Sequence, residues 1–299
     1  MARLPSDAKQ RENYGRGEHT IDPSEYLDTD ELIERLRTTF RAPGYRPPVL
    51  PASALELVRL SNKPGVSFKE VESVLERDTM ITGRVLQVAQ SPIYNVRGGA
   101  LTLQQAMVRL GLTTLTQIFL EVSTTMRIFR APGYDAPMNM LRRHATATAH
   151  IARVVCRHVA FGDEYAFLCA LLHDCGIAAA LMVLGEAKRG VAATPFADVY
   201  PAVMQIHEEV GGMLCQVWKL PPDVELVVRN HHSCTVSGQV HPLTAAIVVA
   251  EAIATQLGFG MEYDSQPEVP EVAVTALKLT DRTLAQIRTE ALVAVQRVQ

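Results

Sequence analysis

The feature that most constrains this chain is a His-Asp pair, His173-Asp174, set inside LCALLHDCGIAAALMVL, where nearly every other side chain is apolar. An ionised carboxylate buried alone is costly, so Asp174 must be hydrogen-bonded, ion-paired, protonated or bound to a cation. No Lys or Arg occurs between Arg157 and Lys188. The partner therefore comes from elsewhere in the fold or is a metal. Residues 166–185 and 243–258 are apolar enough to suggest membrane spans, but the first carries His173 and Asp174 and the second Glu251. A central carboxylate costs roughly 2.5–3.5 kcal/mol on insertion scales, so both read as buried core helices and no membrane association is expected.

The rest of the pattern is helical. Between Pro51 and Phe129, four Ser or Thr residues each precede a Glu or Gln by three positions: Ser53 and Glu56, Ser67 and Glu70, Thr102 and Gln105, Thr114 and Gln117. Such a box satisfies two orphan N–H groups at a helix start, so short helices are expected there. No alternating strand pattern competes. A first helix is expected from Thr29 or Asp30, ending before Pro43-Gly44. After Pro132-Gly133 and Pro137, longer apolar helices are expected around 138–160, 163–185, 200–217, 222–231, 242–258 and 280–298. The fold class is all-α. Residues 1–30 read as a mobile tail, 31–132 as an N-terminal subdomain of short helices, and 133–299 as a second helical subdomain packed against it.

Charge narrows the partners. The chain has 29 Lys and Arg against 32 Asp and Glu; residues 1–30 hold four and seven of these, leaving 25 against 25. A neutral body has no broad basic face to release counterions, which argues against nucleic-acid binding. Five cysteines, odd in number and without a Cys-x-x-Cys pair, read as reduced core residues; with no signal-peptide pattern, the cytoplasm is the expected location.

Further polar groups interrupt apolar helices. Leu141, His144, Thr148, Ile151 and Val155 share one helix face, which places His144 toward the core. His207 shares a face with Gly211, Leu214 and Trp218. His231-His232 follows a helix ending near Asn230, and Glu251 lies within its own apolar helix. Taken alone, His144 and His207 each read as a hydrogen-bonded core residue. Taken together, His144, His173, Asp174, His207, His231, His232 and Glu251 are the imidazoles and carboxylates with which facing helices build a divalent metal site. His144, His173, Asp174, His207, His231 and Glu251 are expected to converge within one pocket of the C-terminal half.

This order resembles that of the HD superfamily of metal-dependent phosphohydrolases: His, His-Asp, later His residues, then Asp. Residues 42–260 are similar to the HDOD family, the HD-related output domains of bacterial signalling proteins. The matching stretches include LPASALELVRLSNKPGVSFKEVESVLERDTMITGRVLQVAQSPIY, LTLQQAMVRLGLTTL, LRRHATATAHIAR, LCALLHDCGI and IHEEVGGMLCQVWKLP. The resemblance implies an HDOD-like fold, with a bundle of short helices against an HD-like helical bundle. It also implies a regulatory role through contact with a bacterial signalling protein, without catalysis. Two departures bear on chemistry. Glu251 stands where the pattern has Asp. Ile177 follows Cys175-Gly176 where cyclic-di-GMP hydrolases of the HD-GYP type have Lys, and no Gly-Tyr-Pro follows.

Three functions are therefore expected in competition. The first is a non-catalytic signalling module. The second is a metal-dependent phosphohydrolase acting on a nucleotide or cyclic dinucleotide. In the third, a divalent transition metal (iron, manganese, zinc or nickel) is a structural clamp. Arg142, Arg143 and Arg229 are the local candidates for holding a substrate phosphate.

Overall fold

A computed structural model of the chain describes residues 28–91, 102–159, 165–186, 193–261 and 268–296. The expected tail therefore lies outside the described residues, apart from its last three positions. Helix α1 (Thr29–Arg41) starts where expected: the Asp28 carboxylate accepts from the Asp30 N–H, and Asp30 and Glu31 complement the dipole of the first turn.

Four shorter or kinked helices follow: α2 (Ala52–Ser61), α3 (Phe68–Leu75), α4 (Thr79–Ala89) and α5 (Leu103–Arg127). Two of the four expected capping boxes form, Ser67 with Glu70 on α3 and Thr102 with Gln105 on α5. Ser53 instead lies inside α2, which begins after Pro51, and Thr114 lies inside α5. Proline at the entry sets the chain direction before Ser53 can act as a cap, and the kink at Gly111 (φ 76°) restarts α5 upstream of Thr114.

The second half holds α6 (Asp135–Arg157), α7 (Ala166–Leu172), α8 (Cys175–Gly185), α9 (Phe196–Val217), α10 (Pro222–Val228), α11 (Pro242–Ala254), α12 (Glu271–Ala276) and α13 (Asp281–Val295). A two-residue antiparallel ladder, Thr235–Val236 with Gln239–Val240, is the sole sheet among the described residues. Helix α6 is the axis of this half, packed against α7, α11 and α13, while α8 lies against α9 and α1 closes over α9. The expected helix over 163–185 is interrupted at His173-Asp174, where Asp174 leaves helical geometry (φ −98°, ψ 16°). The apolar segments that suggested membrane spans lie within this core: Ala166–Gly185 is 94% buried and Pro242–Phe259 67%. All five cysteines are free and buried.

Trp218, the only tryptophan of the chain, ties the two halves together. Its indole N–H donates to the Pro48 carbonyl at 2.8 Å, in a buried setting just ahead of α2. Trp218→Phe should leave that carbonyl unpaired and lower stability by about 1–3 kcal/mol, measured by urea denaturation followed by circular dichroism. A loss below about 0.5 kcal/mol would mean that water replaces the indole at no cost.

Candidate metal centre

The side chains singled out in the sequence meet at the middle of the C-terminal half. His144 projects from α6, His173 and Asp174 from the α7–α8 break, His207 from α9, His231 and His232 from the turn after α10, and Glu251 from α11. His144, His173, Asp174, His207 and His231 are buried, whereas His232 is 41% exposed and Glu251 22%. The cluster is closed on its inner side and reached from the His232–Glu251 side.

Local backbone fixes the tautomers. The Nδ1 atoms of His173, His207 and His231 lie 2.6–2.8 Å from the carbonyl three residues earlier, at Ala170, Met204 and Val228 respectively. His144 Nδ1 is 2.9 Å from the Phe259 carbonyl, supplied by a π-helical turn over Thr255–Phe259. A carbonyl only accepts, so each of these Nδ1 atoms carries the proton and each Nε2 presents a lone pair when the ring is neutral. Those Nε2 atoms point at one another: His144 to His173 at 3.1 Å, His207 to His231 at 3.1 Å, and His207 to His232 at 3.0 Å.

Asp174 stands between the two groups of rings. Its Oδ2 lies 3.1 Å from His173 Nε2 and 3.6 Å from His144 Nε2; its Oδ1 lies 3.3 Å from His231 Nε2 and 3.7 Å from His207 Nε2. Oδ1 is buried and accepts no hydrogen bond. The ligand atoms of Asp174, His207, His231 and His232 all fall within 4.8 Å of one another, as do those of His144, His173 and Glu251. The geometry is therefore two donor sets with one carboxylate between them.

Protonation relieves one set more readily than the other. Burial by itself pushes the His173 imidazole down, but the Asp174 carboxylate overrides it and raises the ring to about 9. Burial opposes the Asp174 charge, and the His173 and His231 rings more than offset it, holding the carboxyl well below its usual range. Burial drives His207 down to about 3, and neighbouring His231 and His232 add to that effect. His207 thus stays neutral, with its lone pair facing that of His231 and the orphaned Asp174 Oδ1.

A cation answers this arrangement. Two ligands each about 2.0–2.2 Å from one ion stand roughly 2.8–3.6 Å apart at octahedral or tetrahedral angles, which spans most of the separations seen here. Nitrogen-rich donors with a carboxylate suit a divalent transition metal rather than calcium or magnesium.

The sequence did not point to the outer contacts. Phe259 supplies a main-chain acceptor and leaves no side-chain signal. Glu208, beside His207, accepts from the His232 N–H at 3.3 Å. The three candidate phosphate-holding arginines are engaged elsewhere: Arg142 donates to Asn139 at 2.8 Å, Arg143 lies over the Phe259 ring at 5.3 Å, and Arg229 donates to Glu225 at 2.8 Å.

Comparisons with known proteins agree with this architecture. The family profile described as "HDOD domain" matches residues 48–234, which include every cluster residue except Glu251. A crystal structure of an HDOD domain protein of unknown function from Geobacter sulfurreducens is similar at TM-score 0.70 and 20% identity, over 91% of this chain and 98% of that one. Another, from Shewanella amazonensis SB2B and provisionally named a metal-dependent phosphohydrolase, is similar at TM-score 0.64 and 18% identity, over 91% and 99%. At these identities the likeness is one of fold. An uncharacterized protein of Treponema pallidum (strain Nichols) is 24% identical over 234 residues, 74% of this chain; the match spans 44% of that relative's length.

Proposed function

This chain belongs to the HDOD domain family, and from that premise we propose that it is a non-catalytic regulatory module of bacterial signalling. In this reading it acts in the cytoplasm by protein contact, with a divalent transition metal centre clamping its C-terminal helices. The observation that carries the metal is the set of converging Nε2 lone pairs around the unpartnered Asp174 Oδ1. His144, His173, Asp174 and Glu251 would serve one side of the centre and Asp174, His207, His231 and His232 the other, with iron, manganese, zinc or nickel as candidates. Such an ion would place positive charge between the two donor sets, and it would join α6, α9, α11 and the α7–α8 break. The chain's own residues orient the rings through backbone acceptors and exclude water from the inner face. Elemental analysis of protein purified without chelator, alongside His173→Ala, tests the metal.

The non-catalytic part rests on the surroundings. Phosphoryl transfer depends on positive groups aimed at the reacting phosphate, and Arg142, Arg143 and Arg229 each have another engagement. Glu251 in place of Asp, Ile177 after Gly176 and the missing Gly-Tyr-Pro support the same reading.

One observation favours a phosphohydrolase instead. The shared carboxylate with an accessible side at His232 and Glu251 would let a bound ion lower the pKa of a water and polarise a phosphoryl oxygen. The expected result, with manganese, iron or nickel supplied, is no turnover of cyclic dinucleotides, nucleotides or generic phosphodiesters above a His173→Ala/Asp174→Ala control. Hydrolysis that vanishes in the double variant while its helical content persists would establish the enzyme.

A further inference from the structure

Of the four rings whose Nδ1 is fixed by a backbone carbonyl, His144 is the one whose acceptor is remote in sequence. His173, His207 and His231 each use the carbonyl three residues back, which the local chain supplies as it coils. His144 uses the Phe259 carbonyl, 115 residues further on, at 2.9 Å. That acceptor stands at the end of the π-helical turn over Thr255–Phe259, which passes through Gly258 in left-handed geometry (φ 84°). A π turn is a rare conformation and glycine adds backbone freedom, so neither fixes the carbonyl by itself. Something outside the turn has to hold Phe259 in place.

The Phe259 side chain offers the hold. It is buried, and the guanidinium carbon of Arg143 lies 5.3 Å from the centre of its ring. That is within the range at which a cation is attracted to an aromatic face. Arg143 makes no ion pair or hydrogen bond among the described residues, so the ring is what it engages. Arg143 and His144 are consecutive on α6, and together they grip one residue twice: the imidazole takes the Phe259 main chain and the guanidinium its ring. By charge alone, a guanidinium on the residue next to a ligand disfavours a divalent cation. A favourable contribution of Arg143 to the centre therefore has to come through geometry.

We propose that Arg143 is a positioning residue: by holding the Phe259 ring it keeps the Phe259 carbonyl on His144 Nδ1, and so keeps His144 Nε2 turned toward His173 and Asp174. Those two lie 3.1 Å and 3.6 Å from it, at His173 Nε2 and Asp174 Oδ2. The consequence for metal binding rests on the metal reading above, whereas the consequence for the His144 proton does not.

The test uses the full chain and two readouts. In metal-free protein, exchange of the His144 Nδ1 proton with water is followed by NMR, with the resonance assigned by its absence from His144→Gln. Exchange should be roughly 3–5-fold faster in Arg143→Ala, the equilibrium equivalent of one cation–π contact, and near the wild-type rate in Arg143→Lys. Affinity for zinc, measured by competition with a chelating dye, should fall by a similar ~3–5-fold in Arg143→Ala and recover in Arg143→Lys. In a Phe259→Leu background, Arg143→Ala should change neither quantity, because the ring it acts through is gone. Arg143 is only half-buried, so its variants should keep the fold, which circular dichroism checks. Unchanged proton exchange in Arg143→Ala overturns the proposal, as does an equal effect of that change in the Phe259→Leu background. A zinc affinity that holds or rises in Arg143→Ala also overturns it, since a rise is what removing a nearby positive charge would give. A wild type that binds no zinc would remove the metal reading and leave the proton exchange to decide the proposal.

Discussion

Substituting Asp174 with alanine is expected to abolish the proposed metal binding and lower the thermal midpoint by about 10 °C, the largest effect of any side chain in the cluster. Asp174 is the residue that faces both donor sets, within 3.7 Å of four imidazoles. A ligand present at about a thousand times its dissociation constant adds roughly 4 kcal/mol of stability, all of which goes when the site is lost. The same change leaves the Nε2 atoms of His207 and His231 3.1 Å apart with the Asp174 carboxylate gone from between them and the other rings. His232→Ala should cost far less, since that ring is 41% exposed and sits at the rim. Metal content by mass spectrometry and calorimetry on the three proteins would decide it, and equal metal retention in wild type and Asp174→Ala would sink the assignment.

The pH dependence follows from the same groups. In metal-free protein the raised His173 contributes stability that is fully present below its unfolded value near 6.5 and lost as pH rises through about 9. The depressed Asp174 contributes stability present above its unfolded value near 4 and lost as pH falls below it. Metal-free protein should therefore be most stable between those limits. Metal competes with the His173 proton, so its affinity should rise with pH across the neutral range.

Much of this site was legible in sequence because side-chain spacing reports on helix faces. His144 could be placed in the core from Leu141, Thr148, Ile151 and Val155, and all five are buried. Asp174 demanded a partner because no cation lies within fifteen residues on the N-terminal side or thirteen on the C-terminal side. Main-chain geometry left no such trace. The break at His173-Asp174 falls between two apolar runs with no proline or glycine ahead of it, so no helix-breaking residue announced it. The π-helical turn that brings the Phe259 carbonyl to His144 depends on Gly258 in left-handed geometry (φ 84°), and Gly258 reads in sequence merely as a helix end. The two capping boxes that failed show the same limit: Ser53 and Thr114 have the right neighbours, but backbone events upstream had already started their helices.

The close approach of α8 to α9 is the other feature that sequence conceals, and it leads to the second large effect. Gly176 lies two residues after Asp174, where α8 crosses α9 near His207. A Cβ built there would collide with the His207 carbonyl oxygen and lie 2.8 Å from its carbonyl carbon and 2.9 Å from the Gly211 nitrogen. These are backbone atoms of a packed helix, so no side chain can turn aside. Gly176→Ala must push the helices apart, and it should cost about 3 kcal/mol or more in spite of alanine's better helix propensity. The shift would also carry His207 Nε2 away from Asp174 Oδ1, now 3.7 Å distant. Metal affinity should then fall by roughly 10–100-fold without any ligand being removed. Gly83 is the matched control: it is an exposed glycine of α4 whose added Cβ meets nothing within 4 Å. Gly83→Ala should be neutral or stabilising by up to about 1 kcal/mol. Urea denaturation and metal titration on both variants would separate propensity from crossing geometry, and a Gly176→Ala protein as stable as wild type would show that the two helices have room to spare.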